Sequence, residues 1–177
     1  MGKIVKKFAL FIIFSFFSLF SCIPGMPKLG YTIKVTPEKI ETQLRKSFPI
    51  TRETDSFVVR LEEPMVNIEN GKIYTGITVK VKMPPFLSIS GSAYISGNVK
   101  YEPATGKIYL VEPSIEELSI NGKMVISNKM PALKNIIKDV IQSTFRKIPI
   151  YRVNLRYRKQ VKSIEISGNA LLIKIGL

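Results

Sequence analysis

Histidine is absent from this 177-residue chain, cysteine occurs once, and the only aspartates are Asp55 and Asp139. Each shortage removes a class of chemistry. Without imidazole there is no Ser-His-Asp or Cys-His nucleophile, and the usual nitrogen ligand for zinc or copper is missing. A lone thiol closes no intramolecular disulfide. Cys22 sits among phenylalanine, isoleucine and proline, with no base or cation beside it to lower its pKa. No GxxxxGK phosphate loop occurs. The neighbouring carboxylates Glu62 and Glu63, like Glu116 and Glu117, fall in strand-like segments, where adjacent residues point to opposite faces and form no acid-base dyad. Acidic residues number 13 against 27 Lys and Arg, a net charge of +14. These residues predict a protein that is not an enzyme and that holds neither metal nor cofactor.

What the chain does have begins at its N-terminus. Lys3, Lys6 and Lys7 precede the apolar run Phe8 to Phe20, followed by the small Ser21 and then Cys22. This is the layout of a secretory signal peptide. Thirteen apolar residues are too few for a helix that must cross about 30 Å of hydrocarbon at roughly 1.5 Å per residue. The stretch Leu19-Phe20-Ser21-Cys22 resembles a bacterial lipoprotein lipobox. That resemblance implies cleavage before Cys22, which becomes the acylated N-terminus. Ile23, in place of an aspartate, implies by the same resemblance an outer-membrane anchor facing the periplasm. Loss of the three leader lysines takes the basic residues from 27 to 24 against 13 acidic ones, leaving about +11. For an exported chain, anionic lipid headgroups are the long-range partner of such a charge, and nucleic acid is not. The expected organisation is a signal peptide at 1–21, a flexible Pro/Gly-rich tether at 22–33 and one domain at 34–177.

In "VTPEKIETQLRKSFPI" Thr36 is placed as N-cap, Pro37 as first helical residue and Glu38 in the first turn. Ile40, Leu44 and Phe48 form its apolar stripe, and Pro49 stops the helix. The period then changes from helical to alternating. In "GKIYTGITVKVKM" Ile73, Thr75, Ile77, Val79, Val81 and Met83 share one face. In "FLSISGSAYISGNVKY" Leu87, Ile89, Ala93, Ile95, Val99 and Tyr101 do the same. "SFVVRLEEPMVNI" supplies an earlier strand bulged at Pro64, and "KIYLVEPSIEELSI" a later one interrupted at Pro113. "EPATGK" is a turn. The pattern is an antiparallel meander, apolar on one face and polar on the other.

A cover for that face follows. From Pro131 to Ile148 the residues Leu133, Ile136, Ile137, Val140, Ile141, Phe145 and Ile148 recur at helical spacing, with Asn128 as cap and Pro149 as stop. "YRVNLRYRKQ" alternates Tyr151, Val153, Leu155 and Tyr157 with basic residues. "VKSIEISGNALLIKIGL" reads as two short strands joined at Ser-Gly-Asn.

This order of elements, with "GKIYL" at 106–110, "IPIY" at 148–151 and the aromatic-basic end of the second helix, resembles the YceB-like family of uncharacterised bacterial lipoproteins over nearly all of residues 33–175. The resemblance implies an α+β fold that is half of a tubular lipid-binding fold, a strongly curved antiparallel sheet wrapped around a long amphipathic helix, with a shorter N-terminal helix. It further implies an apolar groove between sheet and long helix that holds acyl chains of a phospholipid or fatty acid. Ile77, Val79, Val81, Ile89, Ile95, Leu133, Ile136, Ile137, Val140, Ile141 and Phe145 are the candidates to line it. Arg152, Arg156, Arg158 and Lys159 are the candidates for a headgroup-facing basic stripe on one strand. The competing expectation is a non-catalytic adaptor lipoprotein, whose same apolar faces form a dry core and whose surface binds an envelope protein.

Overall fold

A computed structural model of the chain describes residues 30–54, 56–83, 85, 87–120, 123–124 and 131–176. The expected signal segment, Cys22, the expected tether up to residue 29 and the expected cap Asn128 lie outside these residues. Within them the order is β1 (Gly30–Val35), α1 (Pro37–Arg45), β2 (Ile50–Glu53), β3 (Val58–Glu69), β4 (Lys72–Met83), β5 (Leu87–Glu102), β6 (Lys107–Ile120), β7 (Lys123–Met124), α2 (Pro131–Phe145), β8 (Pro149–Arg152), β9 (Val161–Ser167) and β10 (Ala170–Gly176).

Thr36 holds the extended N-cap conformation, and its carbonyl accepts the first helical bonds, from the N–H groups of Lys39 and Ile40. Its hydroxyl serves Glu38 instead of a backbone amide, and this hydrogen bond holds the Glu38 carboxyl below its ordinary range. Ile40 and Leu44 are fully buried. Phe48, just past the helix, packs its ring against Phe145.

Strands β2 to β7 pair in sequence order, and β8 joins the free side of β6, giving a mostly β molecule around a strongly curled antiparallel half-barrel. The alternation of β4 carries through as expected: Ile73, Thr75, Ile77, Val79 and Val81 are buried, while Lys80 and Lys82 are exposed. Two strands change phase along their length. In β3 the buried residues pass from Val59 and Leu61 to Ile68 across a register shift between Glu62 and Met65, with Glu63 at φ +53°. In β6 they pass from Ile108 and Leu110 to Pro113, and then back to Leu118, across two shifts. A bulge adds one residue and so moves the following side chains to the opposite face. Pro64 and Pro113 mark two of these sites, because proline has no N–H to contribute to the ladder.

Helix α2 covers the concave face and packs along β6. It is not the long helix expected. It has 15 residues, about 22 Å at roughly 1.5 Å each, and it ends at Phe145 rather than Ile148. The N–H groups of Lys147 and Ile148 both turn onto the Thr144 carbonyl, and Pro149 disfavours helical geometry in the residue before it.

Two further expectations are corrected. The strand read through "YRVNLRYRKQ" stops at Arg152. Asn154 Oδ1 accepts the Arg156 N–H at 2.9 Å and the Asn154 carbonyl accepts the Tyr157 N–H, so a side-chain-stabilised turn replaces the ladder and leads into a 3-10 turn at Arg158–Gln160. Gly30 to Ile33, read as tether, belong to β1, which pairs with β10 in a separate sheet ordered β1-β10-β9. Val35 of that strand is fully buried, which supplies the reason for its order. Gly168, at φ +57°, makes the β9-β10 turn expected at Ser-Gly-Asn.

Candidate functional site

The curl of the sheet brings the expected groove residues together. Ile77, Val79, Val81, Ile89 and Ile95 from the sheet meet Leu133, Ile137, Val140, Ile141 and Phe145 from α2 in one apolar cluster, with Ile136 half-buried at its margin. Burial is not uniform along it. At the end where α2 runs into β8, Phe145, Ile141, Ile108, Leu110 and Ile150 are completely closed off. At the opposite end, Ile89, Leu118 and Leu133 retain 5–6% exposure, and Met83, Ile120 and Ile136 are half-buried. The cluster is therefore a buried core whose cover is complete at the β8 end and slightly thinner at Ile89, Leu118 and Leu133. Leu118 and Ile120 were not among the groove candidates, because the two bulges of β6 hide their facing from simple alternation. Pro113 and the Glu116-Glu117 pair were the available signal.

Hydroxyls accompany the apolar side chains. Thr75 of β4 and Thr144 of α2 are fully buried, and neither hydroxyl has a hydrogen-bond partner among the described residues. The side-chain amide of Gln142 donates to the Pro113 carbonyl at 3.1 Å, tying α2 to the bulge of β6.

The four basic candidates do not form a stripe. Arg152 ends β8, while Arg156, Arg158 and Lys159 lie in the turns that follow. Arg158 folds back to donate to the Ala104 carbonyl at 2.9 Å, and its own carbonyl accepts the Tyr101 hydroxyl at 2.5 Å. Burial pushes the Tyr101 phenol above its ordinary range. These bonds fasten the turn to the β5-β6 hairpin, at the closed end of the core. Arg152, Arg156 and Lys159 are exposed. Leu155, between them, is 62% exposed, and the Tyr157 ring meets Tyr31 of β1 edge to face at 5.6 Å.

On the outer face of the sheet lies a depression of about 550 Å³, with Met65, Gly76, Thr78, Tyr94, Glu63, Glu117 and Arg45 among its lining. Tyr94 stacks on Tyr74 at 5.2 Å. Arg45 is paired with Glu41, and Glu63 accepts the Thr78 hydroxyl. Nearby, Glu62 is held below the ordinary carboxylate range by Lys80 first and Arg60 second. Among the described residues there is no group of three His, Cys, Asp or Glu placed to hold a metal ion, and no helix long and apolar enough to cross a membrane.

A mostly β protein with a curled half-barrel, an apolar core on its concave side and two short helices is the class these features define. Residues 35–176 match the model of a family described as a protein of unknown function (DUF1439). The chain belongs to that family. No curated protein matches it.

Proposed function

We propose that this chain is a lipid-anchored protein of the bacterial envelope that takes an apolar chain, from a phospholipid or fatty acid, through the mouth of the half-barrel and between α2 and the curled sheet. A difference in cover carries the reading: an apolar interior sealed at Phe145 and Ile108 but retaining 5–6% exposure at Ile89, Leu118 and Leu133, beside half-buried Met83, Ile120 and Ile136. An acyl chain supplies apolar surface to complete that end, each buried methylene contributing about 0.8 kcal/mol. The short α2 supports the same reading. At about 22 Å it covers less than half the length of β5, whose 16 residues span about 50 Å before curling. The relation to half of a tubular lipid-binding fold belongs to this proposal, as do acylation at Cys22 and placement in the outer membrane facing the periplasm. No catalytic step is part of it.

The complete burial of Ile95, Ile137 and Ile141 favours a second reading in which the core stays dry and the protein is an adaptor. Native mass spectrometry separates the two. The chain is expressed in a bacterial envelope, purified, and its mass compared before and after organic extraction. Expected is a one-to-one lipid adduct that extraction removes, and that Ile136→Trp, which plugs the mouth at a half-buried position, abolishes while the circular dichroism spectrum stays unchanged. A bare mass that survives incubation with phospholipids and fatty acids overturns the carrier reading and leaves the adaptor.

A further inference from the structure

Tyr31 and Leu155 are two of the large apolar side chains that the described surface leaves open, at 45% and 62% exposure, and the fold places them in one patch. Tyr31 stands on β1, Leu155 in the turn after β8, and the edge-to-face contact of Tyr31 with Tyr157 joins the two elements. The Arg156 guanidinium lies 5.8 Å from the centre of the Tyr157 ring. Lys159 follows in the 3-10 turn, and Arg152 precedes the turn. Among the described residues none of these three cations takes part in a salt bridge, whereas Arg45, Arg60, Lys80 and Lys174 all do. An exposed leucine at the tip of a turn, two tyrosines beside it and unneutralised cations around it have the composition of a segment at a membrane-water interface. There the apolar tip enters the acyl boundary, the phenols sit at headgroup depth and the long cationic side chains reach the phosphates.

From these features we infer that Tyr31 together with Asn154–Lys159 is a docking patch for an anionic lipid surface. Two observations commit the occupant to a membrane. Charge complementarity is one, since nothing acidic in the turn offsets Arg156 and Lys159. The other is where the chain outside the described residues ends: it enters the structure at Gly30, one residue before Tyr31, and Gly30 lies only eight residues after Cys22. At about 3.5 Å per residue those eight reach no more than about 28 Å. The patch is a different surface from the proposed mouth and does not depend on a ligand there; its second argument rests on the acylation at Cys22 proposed above. Arg158 and Asn154 have a positioning part, the first through Ala104 and the second through the Arg156 N–H.

The chain has no tryptophan, so Leu155→Trp in the full chain gives a single reporter at an exposed position. Met65→Trp, at the other strongly exposed apolar site, is the control. On vesicles of phosphatidylethanolamine with phosphatidylglycerol, the Leu155→Trp emission is expected to shift to the blue and to lose most of its intensity when the acyl chains are brominated, while Met65→Trp does neither. Adding Arg156→Glu and Lys159→Glu to Leu155→Trp is expected to abolish the shift. Equal behaviour of the two reporters, a shift that survives the charge reversal, or a shift seen only when an envelope protein is supplied overturns the inference, the last by identifying a protein dock.

Discussion

At the scale of single residues, glycines show how close the strands of the half-barrel come. A Cβ on Gly91 would lie 2.1 Å from the Ser119 carbonyl oxygen, whereas one on Gly76 would meet nothing nearer than 3.8 Å. Backbone cannot withdraw as the end of a side chain can. Gly91→Ala is therefore expected to destabilise the fold by roughly 3 kcal/mol, at the upper end of the overpacking range, while Gly76→Ala stays within about 0.5 kcal/mol. Urea unfolding of the two variants measures the difference, and equal midpoints would contradict it. The sequence did not mark Gly91 as special, since its requirement comes from the partner strand. By contrast the inward facing of Ile73, Ile77, Val79 and Val81 was legible, because alternation is a local property. So were Ile40 and Leu44, and the stripe of α2 through Ile137, Ile141 and Phe145.

Elements were legible where their signals lie within them, and less so where a distant partner decides. Helix α1 begins and ends on its own capping residues and prolines. Strand β1 did not declare itself, because its pairing with β10 joins residues about 140 positions apart in the chain and no local pattern reports it. The basic turn after β8 was misread for the opposite reason. Its residues alternate well enough for a strand, but Asn154 offers the Arg156 N–H a bond within its own turn. Bulges fall between these cases: Pro64 and Pro113 announced them, while the reversal of facing beyond Pro113 needed the register. Deleting Pro113 is expected to remove the bulge, leaving Ser114 and Ile115 opposite Ser96 and Ile95 and turning Glu112 onto the concave side opposite Gly97. It also disturbs the carbonyl that receives Gln142. Turning one unpartnered carboxyl towards an apolar face costs about 2 kcal/mol or more. The urea midpoint is expected to fall accordingly, and an unchanged midpoint would show that β6 absorbs the deletion by shifting its bulge.

The whole molecule has two ends that differ in kind. The β5-β6 hairpin, the C-terminal end of α2, the turn at Asn154–Lys159 and the entry of the chain at β1 gather at the closed end. Ile89, Leu118 and the start of α2 lie at the other, where the cover is thinner. If the turn lies on a leaflet, a reporter at the mouth stays in water: Ile136→Trp on anionic vesicles is expected to remain accessible to iodide while Leu155→Trp is shielded. Shielding of both, or of Ile136→Trp alone, would reverse the orientation.

That separation gives the molecule a direction. If it is held by its base as proposed, with the mouth up to about 50 Å along β5 from the leaflet, such a cup does not draw its contents from the leaflet beneath it. On the two proposals together, cargo would arrive from, and leave towards, the far side of an aqueous gap, and loading would call for a donor that approaches from above.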